Sequence, residues 1–130
     1  MRERQVDENE LSHIIIGAAI EVHRVLDPGL LESVYEGALS FELRNKGLNV
    51  RQQQELSITY KGVELHGSFR MDLLVNDLVI VEIKAVERLL PIHEAQVLTY
   101  LKLANKKLGL VLNFNSTTIR TSVRRVVNNL

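Results

Sequence analysis

The fold is decided by the stretch Phe69-Arg70-Met71-Asp72-Leu73-Leu74-Val75-Asn76-Asp77-Leu78-Val79-Ile80-Val81-Glu82-Ile83-Lys84. Two strongly apolar runs flank an Asn-Asp turn, the pattern of a β-hairpin. From Leu78 to Lys84 the residues are apolar on both parities except at Glu82 and Lys84, as in a central strand covered on both faces. Charges in such a strand are informative, because an ion buried without a partner is costly. Glu82 and Lys84 are two apart and share a face. With a two-residue loop, Asp72 falls opposite Val81 and points away from Glu82. A three-residue loop, or one bulge, sets Asp72 opposite Glu82. In that register Met71, Leu73, Val75, Val79, Val81 and Ile83 form one apolar face, and Arg70, Asp72, Leu74, Ile80, Glu82 and Lys84 form the other. The clean segregation selects the odd register, which gathers two carboxylates and an ammonium at one end of the hairpin.

Outward from the hairpin, Leu11, Ile14, Ile15, Ala18, Val22 and Val25 recur at helical spacing, so a first helix is expected from Asp7 to Leu26 and is stopped by Asp27-Pro28-Gly29. A second is expected from Leu31 to Lys46, ending at Gly47. Leu56, Ile58 and Tyr60 alternate as a half-buried strand, with Lys61-Gly62 turning into Val63 to His66. Pro91 opens a third helix to Ala104. Leu108 to Phe114 reads as another buried strand and Thr117 to Val127 as a final one. The order α-α-β-β-β-β-α-β-β gives an α/β fold, an α+β mixed sheet with helices packed on it.

The chain has 130 residues, 45% hydrophobic and 25% charged, which suits a single domain over residues 1–130. Residues 1–8 are expected to form a flexible N-terminus. No apolar run approaches the roughly 20 residues of a membrane span, and the start leads into no signal-peptide core. A cytoplasmic address and no membrane partner are therefore expected. Cys is absent, which excludes disulfide, thiolate-metal and Cys-nucleophile chemistry. The formal charge is zero, but residues up to Glu94 hold all 16 acids against ten bases, a net of −6, and the remainder holds six bases, +6. That basic end is either a solvated edge or an anion-guiding face.

Two converging carboxylates beside a lysine suit a hard cation such as Mg²⁺, which takes one or two carboxylates and keeps several waters. The alternative is an Asp-Lys-Glu ion triad that only fixes register. On the third helix His93, Gln96 and Tyr100 share one face, either a wall of the site or a solvated stripe. On the second, Glu32, Tyr35 and Glu36 form a similar polar face, and Glu32 also suits a helix N-terminus on electrostatic grounds alone.

Gly29-Leu30-Leu31-Glu32-Ser33-Val34-Tyr35 resembles the signature of the GxxExxY protein family. The flanks Glu21 to Leu26 and Glu36 to Leu43 are similar as well, as are the blocks Phe69 to Val75, Val79 to Ala85, His93 to Tyr100 and Gly109 to Asn115. The likeness covers residues 10 to 127 and implies a place in the PD-(D/E)xK nuclease-like superfamily. Asp72 then stands at the motif's Asp and Glu82-Ile83-Lys84 at its (D/E)xK, with Met71 where the motif name has Pro. Glu32 resembles the acid of the first core helix, and Gln96 the Gln of the helix after the (D/E)xK strand.

The resemblance implies a restriction-endonuclease-like αβββαβ core with an extra N-terminal helix. It also implies Mg²⁺- or Mn²⁺-dependent hydrolysis of nucleic acid. Asp72 and Glu82 would hold the metal with the Ile83 carbonyl and Glu32, Lys84 would position water, and Gln96 would orient the site. Tyr35, His93 and Tyr100 would wall it, and Lys102, Lys106 and Lys107 would guide substrate. The rival classes are a non-catalytic nucleic-acid- or protein-binding module on the same fold, and a homodimeric accessory protein joined through Ile16 and Ile20 on a second apolar face of the first helix.

Overall fold

The computed structural model describes residues 6–66 and 69–130. Its elements are α1 (Glu8–Leu26), α2 (Glu32–Asn45), β1 (Val50–Glu55), β2 (Ile58–Tyr60), β3 (Val63–Leu65), β4 (Arg70–Val75), β5 (Val79–Lys84), α3 (Pro91–Ala104), β6 (Leu108–Asn113) and β7 (Val123–Val127). Five strands form one sheet in the order β1-β4-β5-β6-β7. Only β5 and β6 run parallel, and α3 makes the crossover between them. The other neighbours are antiparallel. Setting aside α1, β7 and the β2–β3 hairpin, the order is α2-β1-β4-β5-α3-β6, the expected αβββαβ core.

Both faces of the sheet are covered. Leu11, Ile15, Ala18 and Val22 of α1 and Tyr35, Leu39 and Leu43 of α2 pack on Leu73, Val75, Val79, Val81 and Ile83. Val97, Tyr100 and Leu101 of α3 pack on Leu74, Ile80, Val111 and Val126 of the other face. The apolar pattern of β5 follows directly, since every residue from Val79 to Ile83 is buried. Gly109 lets α3 approach β6 closely: a Cβ there would lie 2.4 Å from Val97 Cγ1. Asp7 caps α1 by accepting the Glu10 N–H at 2.8 Å. Within the stretch 1–8 expected to be a flexible N-terminus, Val6 packs against the core and Glu8 opens α1, while residues 1–5 lie outside the described residues. Ile16 and Ile20 also pack against this core, so the second apolar face of α1 is turned largely inward. Among the described residues, no helix is long and apolar enough to cross a membrane.

The hairpin register is the odd one. Asn76 and Asp77 both adopt left-handed backbone (φ 51° and 56°), and the Leu78 N–H closes the turn on the Val75 carbonyl at 2.9 Å. Val75 then faces Val79, and Leu73 faces Val81, so Leu78 is one extra residue in the second strand. The same register sets Asp72 opposite Glu82.

Three expectations are corrected. First, β1 was not anticipated, and the β2–β3 hairpin forms its own two-stranded sheet in place of a position in the main one. Val50-Arg51-Gln52-Gln53-Gln54-Glu55 is an edge strand with three successive exposed residues, so it carries no apolar period. Its attachments are polar: Arg44 of α2 donates to the Val50 carbonyl at 2.8 Å, and Gln52 and Gln53 donate to Glu36 at 3.2 and 2.6 Å. Second, the final strand begins only at Val123. Before it, Ser122 Oγ lies 2.9, 2.9 and 3.1 Å from the Asn113, Thr118 and Ile119 carbonyls, and these contacts hold a loop. Third, Met71 joins Leu74 and Ile80 on the α3 side. Regular β1–β4 pairing skips Gln53 and Asp72, and Gln53 has φ 51°. The pleat is broken there, and Met71 lands on the opposite face from the one its parity gives.

Candidate active site

The site lies where the hairpin ladder opens. Regular β4–β5 pairing ends at Leu73 and Val81, and beyond it the side chains take over the main-chain donors. The Asp72 N–H donates to Glu82 Oε1 at 3.2 Å, and the Ile83 N–H donates to Asp72 Oδ2 at 2.8 Å. Each carboxylate is therefore anchored by the other strand's backbone. Gln53 Nε2 donates to Asp72 Oδ1 at 3.2 Å and to Glu36 Oε1 at 2.6 Å, which ties the acid pair to α2. Its left-handed backbone is part of what brings that amide to Asp72.

Glu82 is 4% exposed. Burial and the neighbouring Asp72 charge push its carboxyl up to about 8, while the Asp72 N–H and Lys84 pull the other way. At neutral pH the pair thus carries less than its formal charge, as expected when two carboxyls share a poorly solvated site. Lys84, two residues on and on the same face, is half-buried.

Tyr100 comes to the site from α3. Burial, and then the Glu82 charge, raise its phenol above the ordinary value, so the hydroxyl lies within the field of the acid pair. Gln96 Nε2 donates to that hydroxyl at 3.1 Å. On the other side Glu32, in the first turn of α2, accepts the Ala85 N–H at 3.1 Å and fastens the end of β5 just past Lys84. The next loop is clamped by buried Asn113, whose side chain accepts the Val86 N–H at 3.1 Å and donates to the Val86 carbonyl at 2.9 Å.

The structure brings together Asp72, Glu82, the Ile83 backbone, Lys84, Tyr100 and Gln96, with Glu32 at the rim. It does not bring Tyr35 there. Tyr35 is fully buried on the α1–α2 side, stacked on Phe114 with centroids 4.7 Å apart. Its hydroxyl donates to the Asp27 carbonyl at 2.6 Å and accepts the Leu30 N–H at 3.1 Å. The Gly-to-Tyr segment is thus a latch: Gly29 turns the chain at φ 109°, Tyr35 locks the turn, and Glu32 is delivered to the sheet.

His93 accepts the Leu90 N–H through Nδ1 at 3.0 Å and caps α3. Lys102 is exposed in the last turn of α3, and Lys106 and Lys107 follow that helix at the hairpin-turn end of the strands, away from the acid pair. Lys106 reaches Asp77 of the hairpin turn at 3.1 Å. α3 runs antiparallel to β5 as the crossover between two parallel strands, which carries the chain after it away from the acids. Arg124 pairs with Glu94 at 3.4 Å.

Sequence reasoning missed Gln53 as a partner of Asp72. Nothing in Gln52-Gln53-Gln54 marks which amide turns inward, because the distinguishing feature is a backbone dihedral. Glu36 carried a signal, since it lies four residues after Glu32 on the same helix face.

A mixed sheet with α2 and α3 on opposite faces and an Asp/Glu-x-Lys pair at the opening of its central hairpin is the arrangement of a restriction-endonuclease-like fold. A family model of the PD-(D/E)XK nuclease superfamily matches residues 9–126, and the chain belongs to that superfamily. The crystal structure of SSO0001 is similar in fold, with a TM-score of 0.50 at 15% identity over 92% of this chain and 79% of that one. Comparison with curated proteins gave no match. PD-(D/E)XK nucleases typically use divalent metals.

Proposed function

We propose that this domain is a Mg²⁺- or Mn²⁺-dependent nuclease of the GxxExxY type that hydrolyses phosphodiester bonds in nucleic acid. The observation that carries the reading is the mutual anchoring of Asp72 and Glu82 across the opened hairpin, with Lys84 beside them. The donor set is all oxygen and fits a hard cation: Asp72 Oδ1 and Glu82 Oε2 are the carboxylate oxygens not bonded to a backbone N–H, and the Ile83 main chain is adjacent. Among the described residues, no cluster of three or more His, Asp or Glu side chains is placed to hold a metal. The fit is therefore to an ion that accepts two carboxylates and fills its shell with water and phosphate oxygens. When bound, such an ion polarises a phosphoryl oxygen and acidifies a coordinated water.

The chain's own residues divide the remaining work. Lys84 holds the attacking water or offsets charge that develops on the phosphoryl oxygens. Gln96 and Tyr100 form the α3 wall and donate hydrogen bonds toward the substrate. Glu32 keeps the end of β5 in place, so that Lys84 stays on the acid face. Cleavage of single- and double-stranded DNA and RNA by wild type, Asp72→Ala and Lys84→Ala, each in Mg²⁺, Mn²⁺ and chelator, tests the proposal. Metal-dependent cleavage lost in both folded variants supports it; equal cleavage by all three proteins refutes it.

A further inference from the structure

A recess of about 280 Å³ opens between α3 and the segment that carries the β2–β3 hairpin, lined by Ile58, Phe69, Gln96, Thr99, Tyr100 and Leu103. We propose that it receives one unstacked nucleobase of a strand whose phosphate lies at the acid pair, which makes the substrate a single strand or a frayed end. This rests on the nuclease reading and specifies its substrate.

Three observations converge on that occupant. The recess adjoins the site, because Tyr100 lines it and packs in one cluster with Met71, Leu74 and Ile80, the strand neighbours of Asp72 and Glu82, while Gln96, which also lines it, is bonded to the Tyr100 hydroxyl. A ligand in the recess is therefore next to anything bound at the acids. The lining is that of a planar heterocycle's pocket. Phe69 and Tyr100 supply aromatic surface, Ile58 and Leu103 supply apolar edges, and the Gln96 amide and Thr99 hydroxyl supply hydrogen-bonding groups. The volume, just under the roughly 300–1,000 Å³ of drug-sized pockets, has room for one nucleobase. A paired base in a duplex cannot enter; a base must leave the stack to do so.

The third observation is the distribution of charge. Sequence-independent duplex binding draws on many Lys and Arg contacts. Here the net charge is zero, and Lys106 and Arg124 are engaged with Asp77 and Glu94. A strand held with few phosphate contacts needs another source of affinity, and base stacking on aromatic side chains supplies it without sequence preference.

The test uses the full chain and a short fluorescein-labelled single-stranded DNA, with a series in which one abasic site is moved along the strand. Binding is read by anisotropy in Ca²⁺, and cleavage is read separately in Mg²⁺. The proposal expects one position at which base removal weakens binding roughly ten- to hundred-fold, and weaker binding of the blunt duplex of the same sequence. Leu103→Trp, which fills the recess, and Phe69→Leu, which removes a ring, should each abolish that positional penalty. Unchanged Mn²⁺ affinity in both variants shows that the fold and acid pair are intact. A flat abasic profile, or a blunt duplex bound as tightly as the single strand, overturns the proposal. A sharp profile without Mg²⁺-dependent cleavage supports the base pocket and removes the nuclease reading, so the two failures are distinguishable.

Discussion

Replacing Glu82 by Gln keeps the shape of the side chain and removes its ability to ionise. The buried Glu82 carboxyl has a folded-state pKa of about 8 against an ordinary 4.5. Between those two values the folded protein binds more protons than the unfolded chain, so stability falls as pH rises. Below about 4.5 the carboxyl is neutral in both states and contributes no penalty; above about 8 the penalty is complete. At roughly 1.4 kcal/mol per pH unit the interval sets an upper limit of about 5 kcal/mol. Relaxation of the site and entry of water reduce this, and about 1–3 kcal/mol is expected.

Glu82→Gln should therefore be more stable than wild type at about pH 9 by that amount, with the difference shrinking toward zero near pH 4.5. The Gln carbonyl can still accept the Asp72 N–H, so that bond does not confound the comparison. Urea unfolding at a series of pH values, with the midpoint read at constant slope, gives the numbers. A divalent cation should stabilise wild type near pH 8 by about 1.4 kcal/mol at ten times its Kd and leave the variant nearly unmoved. If Glu82→Gln is instead destabilised at high pH, the ionised carboxylate is a partner of Lys84 in a structural ion triad, and the reasoning fails.

Other outcomes follow from single contacts. Gln53→Ala should weaken Mn²⁺ affinity about ten- to hundred-fold by releasing Asp72 from the side chain that orients it, as titration calorimetry would show. Tyr35→Phe strands a buried hydrogen-bond acceptor and should cost about 1–3 kcal/mol in urea unfolding while leaving Mn²⁺ affinity unchanged, because Tyr35 lies across the sheet from the acids. Gly109→Ala forces Val97 away from β6 and should cost about 1–3 kcal/mol, read as a lower thermal midpoint.

The sequence made the centre of this fold readable and left its edges obscure. Parity between Asp72 and Glu82 was enough to select the register, because a central strand buried on both faces leaves no ambiguity about which residues are out of place. The three helices were legible from apolar period and from Pro and Gly stops. The edge strand β1 was not, since its one sheet neighbour and its polar ties to Glu36 and Arg44 impose no hydrophobic pattern. Gln53 and Met71 share one cause, a local break in the pleat at Asp72 that residue type does not mark.

Tyr35 shows the limit in another form. Helical spacing put it beside Glu32 and Glu36, but its ring turns into the core and only its hydroxyl serves the loop. The basic residues after Glu94 cluster in sequence and disperse in space, because α3 and β7 carry them to different ends and faces of the sheet.

Asp72 and Glu82 together are expected to hold one hard divalent cation. Crystals soaked in Mn²⁺ and measured at the manganese absorption edge test it. One anomalous peak is expected about 2.0–2.2 Å from carboxylate oxygens of both residues, absent in Asp72→Ala. A soaked crystal with intact Asp72 and Glu82 side chains and no peak between them would contradict it.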